Sequence, residues 1–223
     1  MTERRLIVVR HGITDWNREG RFQGHLDPPL GEDGRREAEL VARRMAADPD
    51  LRPRRVISSN LGRALETAAP IAQRAGVAVM PDPRLIEIGQ GAWEGRTHAE
   101  LAVSDARRYA AWRSATGGRR PPGGESIGSA VARVASLLSE LEEGAGDWPV
   151  CLVSHGGTLR VLARVLLALA PTRSWGLDVD NASVSSALRI GGRWRLERWN
   201  DTHHLLGLER THVEEAEGRP LAL

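Results

Sequence analysis

Leu6-Ile7-Val8-Val9-Arg10, followed at once by His11-Gly12-Ile13-Thr14-Asp15-Trp16-Asn17, is the stretch that decides the fold class. Its first four residues are apolar and largely β-branched and run straight into a charge, which reads as a short buried strand of a parallel sheet. Strands of open α/β sheets carry ligand sites at their carboxyl ends. A cation, an imidazole and a glycine at that edge suit the capture of an anion, and Gly12 is expected to let backbone N–H groups approach it.

Outward from this strand, the pattern alternates. Arg55-Val56-Ile57-Ser58 reads as a second strand, Val77-Ala78-Val79 as a third and Val150 to Ser154 as a fourth. Ser183 to Ile190 and Trp194 to Trp199 alternate around the turn Gly191-Gly192 and complete the set. Helical stripes fall between them. Ala38, Val41, Ala42 and Met45 mark a helix over 31–48, with Gly31 at its cap. A helix is expected from about Asn60 towards Gly76, kinked or interrupted at Pro70. Others are expected over 97–115, 125–141 and from Gly156 through Ala170. Strands alternating with helices imply an α/β fold, a three-layer α/β/α sandwich around a largely parallel sheet. A single domain over 1–223 is expected, with a mostly helical cap at about 88–126.

The bulk composition narrows the function. Of 223 residues, 41% are hydrophobic and 27% charged. No apolar run reaches the roughly 20 residues of a membrane helix, and MTERRLIVVR enters the first strand without the apolar core of a signal peptide. The sequence pI is about 9.4 although the net charge is only +2. All 31 basic residues are arginine, so few groups titrate between neutrality and pH 10 and a slight excess moves the pI far. The high pI therefore gives no reason to expect nucleic acid as a partner. Missing lysine excludes a Walker-A lysine and Schiff-base chemistry. Cys151, the single cysteine, lies in an apolar run and fits a reducing, cytoplasmic setting.

Two strands far apart in sequence each end in histidine and glycine: Arg10-His11-Gly12 and Ser154-His155-Gly156. Neighbouring parallel strands would set both imidazoles at one sheet edge, each at the start of a following helix whose free N–H groups favour an anion. Arg63 follows a strand in the same way, although a solvated surface role is the default among so many arginines.

Together these motifs resemble the histidine phosphatase superfamily, the phosphoglycerate-mutase-like proteins. The likeness rests on Arg10-His11-Gly12-x-Thr14-x-x-Asn17. It continues in Ser59-x-Leu61-x-Arg63-Ala64 with Glu66, Thr67 and Ala68, then in Leu85-x-Glu87 with Gly91-x-Trp93-Glu94-Gly95, and ends in Ser154-His155-Gly156, in family order from Leu6 to about Leu159. The resemblance implies that His11 is a nucleophile that becomes phosphorylated. It implies that Arg10, Arg63 and His155 hold the phosphoryl oxygens, and that Asn17 and the backbone near Gln23, Gly24 and Gly156 add hydrogen bonds. Glu87 would protonate the leaving oxygen; Glu94 is its rival but also has a helix-capping reading. Two guanidiniums can neutralise a phosphoryl group without a metal, because the planar fork matches phosphate bidentately, so neither metal nor cofactor is expected. The expected partner is a small phosphate ester, with a homodimer left open.

Competing readings remain. Gly124-Glu125-Ser126-Ile127-Gly128 fits a serine-hydrolase G-x-S-x-G, yet no strand precedes it, and Ser126 reads better as a helix cap. Asp201, His203 and His204 could suggest a metal, but adjacent strand histidines point to opposite faces. The arginine pairs at 35–36, 43–44 and 107–108 read as solvated helix faces. Within the family the alternative is a cofactor-dependent phosphoglycerate mutase. Such mutases typically follow the catalytic Glu with Arg-His-Tyr and a longer insertion. Here Ile88-Gly89-Gln90 follows, and Gly124 comes only thirty-seven positions after Glu87. That favours a metal-independent phosphomonoester hydrolase. Its alcohol-binding pocket is expected between Ile88 and Ser126, with Trp93, Trp112 and Arg113 as candidate lining.

Overall fold

The structure, a computed structural model, describes residues 4–113, 120–170 and 176–208. Among these residues six strands form one sheet in the order β3-β2-β4-β1-β5-β6. They are β1 (Arg4–Arg10), β2 (Arg55–Ser58), β3 (Val79–Pro81), β4 (Val150–Ser154), β5 (Val184–Ile190) and β6 (Arg193–Asp201). The first four are mutually parallel; β5 pairs antiparallel with β1, and β6 antiparallel with β5. The period of two along β1 divides the core. Leu6 and Val8 join Leu152 and helices α6 (Ile127–Glu143) and α7 (Gly156–Leu166) on one face. Ile7 and Val9 join Cys151, Val153 and helices α2 (Glu32–Ala47) and α3 (Gly62–Ala75) on the other. A strand covered on both faces must be apolar throughout, and β4 is buried at all five positions. The three-layer α/β/α sandwich is therefore the fold.

Several boundaries differ from expectation for local reasons. Val77 still belongs to the cap of α3, its N–H donating to the Ala72 carbonyl (3.0 Å) behind left-handed Gly76 (φ 74°), so β3 starts two residues later. Pro70 does not interrupt α3; the carbonyl it leaves without a donor is that of Glu66, an exposed residue which water can reach. The stretch over 97–115 breaks at Asp105 into α4 (His98–Ser104) and α5 (Ala106–Arg113). Helix α7 stops at Leu166, ahead of Ala168 at φ 50°. The acidic tail after Leu208 lies outside the described residues.

Beyond the sheet, the segment after β3 forms a small second cluster. Phe22, Trp93, Leu101, Tyr109 and Trp112 bury one another. Ring centroids of Trp93 lie 5.6 Å from Phe22 and 5.6 Å from Trp112. Trp93 also donates its indole N–H to Asp105 at 3.0 Å. Trp93 and Trp112 thus hold α4 and α5 to the loop after α1 (Asp15–Arg18) and do not line an open pocket, contrary to the expectation from sequence. Arg113 is exposed, its guanidinium 5.9 Å from the Tyr109 ring centroid.

Candidate active site

The parallel register pairs Arg10 with Ser154, so the next residue of each strand is a histidine at the same edge. The His11 N–H donates to the Ser154 carbonyl at 2.9 Å, and the two imidazole centroids are 5.0 Å apart. Both rings are almost wholly buried, 3% and 0% exposed. His11 Nδ1 lies 2.7 Å from the Gly12 carbonyl, which can only accept, so Nδ1 carries the proton and Nε2 keeps a free electron pair. Burial, then Arg63, then Arg10, push the His11 pKa well below the usual imidazole value. His155 is lowered as well, by burial first and by Arg63 next. Both rings are therefore neutral at pH 7, as a nucleophilic imidazole must be.

Only His155 caps a following helix, α7. His11 lies three residues before Thr14, the cap of four-residue α1, so the expected helix N-terminus is missing there. Gly12 has another reason to be glycine. A β-carbon on it would come within 2.4 Å of the Gly34 carbonyl, because loop and α2 pack backbone to backbone. Its N–H is taken by Thr67 Oγ1 at 3.0 Å rather than offered to a ligand.

Arg63 is fully buried, which rules out the surface role. Its guanidinium donates to the carbonyls of Leu26 (2.7 Å) and Gly24 (3.0 Å) and to Asp27 (3.3 Å). Arg10 donates to the Val179 carbonyl at 2.6 Å. Burial lowers both guanidiniums, Arg10 to about 10, and both remain cationic at neutral pH. The Nε atoms of Arg10 and Arg63 and Nδ1 of His155 are buried without a partner among the described residues. Orphaned buried polar atoms are costly. A tetrahedral oxyanion is the ligand that would satisfy this group.

Gly156 brings α7 against Arg10, whose Cζ lies 3.5 Å from where a Gly156 β-carbon would stand. Gly24 is held at φ 51°, and a β-carbon there would come within 2.2 Å of Glu94 Oε1. Glu94 stands at the C-terminal cap of the 3-10 turn Gly91–Trp93, its N–H donating to the Gly91 carbonyl at 3.1 Å, and its carboxyl has a further use. It accepts from the N–H groups of His25 (3.1 Å) and Gln90 (2.9 Å), tying the Gly24 loop to the next one. Gln23 donates to Thr14 Oγ1 (2.9 Å), which donates to Asn17 Oδ1 (2.9 Å). Asn17 Oδ1 also accepts from the Thr14 N–H and from Asn181. That leaves the Asn17 amide N–H₂ as the end it can offer a ligand.

Glu87 closes the site from the other side. Its carboxyl oxygens accept from the N–H groups of Ile88 (2.8 Å), Thr158 (3.0 Å) and Gly157 (3.1 Å), which seats it over the start of α7. Sequence reasoning missed Asn181, which donates to the carbonyls of His11 (3.1 Å) and Gly12 (3.3 Å). It also missed the contact of Ser59 Oγ with His155 Nε2 at 2.8 Å, although Ser59 opens the Ser59-x-Leu61-x-Arg63 motif.

The other candidate chemistries fall away on geometry. Ser126 caps α6, accepting from the Ser129 N–H at 3.1 Å. His203 and His204 lie in a short 3-10 turn, not a strand; Asp201 pairs with Arg44, which also meets His204 Nδ1 at 3.2 Å. Arg44 is thus engaged, not a solvated helix-face charge. Among the described residues no three His, Cys, Asp or Glu side chains cluster as metal ligands.

Residues 6–202 match the model of the histidine phosphatase superfamily (branch 1). The chain belongs to that family. It is 37% identical over 219 residues to glucosyl-3-phosphoglycerate phosphatase of Mycobacterium tuberculosis, covering 90% of this chain and 96% of that one. It is also 37% identical over 206 residues to a probable phosphoglycerate mutase of Yersinia enterocolitica, covering 90% and 94%. A solved mycobacterial glucosyl-3-phosphoglycerate phosphatase, complexed with VO3, superposes with a TM-score of 0.79 at 37% identity over 89% of this chain and 100% of that one. The family, its fold and a phosphomonoesterase activity are thus shared with this chain. No helix among the described residues is long and apolar enough to cross a membrane.

Proposed function

We propose that the chain hydrolyses a small phosphate monoester through a phosphohistidine on His11, with no metal. The observation that carries this is the buried edge itself: a neutral His11 with a free Nε2, facing His155 between two guanidiniums that keep unpartnered N–H groups.

In the first half-reaction His11 Nε2 attacks phosphorus in line as the ester P–O bond breaks. Arg10, Arg63 and His155 take up the charge on the equatorial oxygens. Ser59 Oγ accepts from the Leu61 N–H at 3.3 Å; donating its own proton to His155 Nε2 leaves Nδ1–H to serve the phosphoryl group. Asn17, with the backbone about Gln23, Gly24 and Gly156, completes the seat. Glu87 gives its proton to the leaving oxygen. In the second half-reaction water attacks the phosphohistidine, the P–N bond breaks and Glu87 takes the proton back. Phosphate leaves and His11 is again neutral.

Glucosyl-3-phosphoglycerate is the first candidate substrate, because the relative of that name matches nine-tenths of the chain. The test is a panel of glucosyl-3-phosphoglycerate, 3-phosphoglycerate, phosphoserine and simple sugar phosphates, assayed under exhaustive chelation for released phosphate. Hydrolysis of one ester far above the rest is expected. Efficient interconversion of 3- and 2-phosphoglycerate with little phosphate released would establish the mutase alternative.

A further inference from the structure

Residues 84–89, which carry Glu87, run from the end of the 3-10 turn Pro83–Leu85 into an irregular loop, yet each of their six successive carbonyls is captured from outside the regular ladders. Arg133 donates to the carbonyl of Arg84 (2.7 Å), Ser154 to Leu85 (2.6 Å) and Thr158 to Ile86 (2.6 Å). His25 Nε2 meets the Glu87 carbonyl at 3.0 Å. Gln90 donates to Ile88 (3.2 Å) and the Glu125 N–H to Gly89 (2.8 Å). A loop held this completely is a mounting for the one side chain it presents.

Two of these contacts meet in one side chain that no motif singled out. Arg133, on α6, is gripped by Glu125 through both carboxyl oxygens (2.9 and 3.0 Å), the side chains being 15% and 14% exposed. With its other nitrogen it holds the Arg84 carbonyl, and it also donates to Thr158 Oγ1 at 3.3 Å. Thr158 spends its single hydroxyl proton on Ile86, and its own N–H binds Glu87 Oε1. Arg133 therefore fixes both the peptide leading into Glu87 and the residue that orients its carboxyl.

We propose that Arg133, clamped by Glu125, is the positioning residue of the proton donor. It acts through Thr158 and the Arg84 carbonyl and touches no substrate. This rests on the reading of Glu87 as the acid. A lost general acid slows esters with poor leaving groups by typically 10²–10⁴-fold and leaves those that depart as stable anions far less affected.

The test compares kcat/KM for an alkyl phosphate and for 4-nitrophenyl phosphate, since kcat/KM stops at the first irreversible step. Arg133→Met should lower the alkyl value by about tenfold or more and the nitrophenyl value by less than about threefold. Glu125→Gln, which keeps the Arg84 contact, should give the same selectivity in milder form. Glu87→Gln is run beside them. If it shows the leaving-group selectivity while neither Arg133→Met nor Glu125→Gln does, Arg133 is merely structural and the proposal is overturned. If Glu87→Gln itself lacks the selectivity, the assignment of the acid is what fails. Should Arg133→Met not fold, Glu125→Gln alone decides between these outcomes.

Discussion

The two sides of the site are built in opposite ways. At the sheet edge, two residues adjacent in register, His11 and His155, are fixed by the parallel pairing of β1 with β4 and by burial on both faces. Across from them, Glu87 stands on a loop with no ladder of its own, and side chains from residues 25, 90, 133, 154 and 158 hold it. Regular structure places the histidines that the proposed mechanism sets on phosphorus. Side-chain lacing places the carboxyl that it makes the proton donor. The lacing side and the loop that grips Arg63 also lean on the aromatic cluster, which has its own core apart from the sheet: the Phe22 N–H donates to the Arg96 carbonyl (3.0 Å), and the Gly95 N–H to Phe22 (2.8 Å).

That contrast can be broken first at the cluster. Trp93→Ala removes the largest fully buried side chain among the described residues, and such truncations cost about 3–5 kcal/mol. Denaturant unfolding should show a loss of that size. A loss under about 1 kcal/mol would mean that the cap is loosely packed and that the loops are held by the sheet alone.

A smaller effect sharpens the contrast at the edge. Arg63→Lys keeps the charge but cannot reach Gly24, Leu26 and Asp27 while also offering N–H groups to a phosphoryl oxygen. A charge-assisted hydrogen bond is worth roughly 1.5–3 kcal/mol, so turnover should fall about tenfold or more. Near-normal kinetics would show that Arg63 serves only the loop and not the reaction.

The same division explains what could be read from sequence. β1 and β4 were legible because apolar runs ending in His-Gly have few other readings, and pairing them brings the histidines together. Arg63 was legible only through the resemblance, since one arginine among thirty-one carries no local sign of complete burial. Asn181 and Arg133 were not legible at all. Each acts on residues far along the chain, at separations of 170 and 49, and through backbone carbonyls that have no sequence signature. The tryptophans were misassigned because an aromatic near a site can line it or anchor it. Tyr109 and Trp112, three apart, share one face of α5, and that face turns to Phe22 and Trp93. Gly12 shows the same ambiguity: glycine permits close approach, and here what approaches is the backbone of α2.

On the proposed mechanism His11 carries the phosphoryl group between two half-reactions. Rapid mixing with a ³²P-labelled monoester, quenched without acid and followed by peptide mapping, shows whether it does. The label should be found on the peptide containing His11, stable to base and labile to acid, and absent from His11→Ala. Turnover with no base-stable label in the wild type, or label retained in His11→Ala, would contradict it.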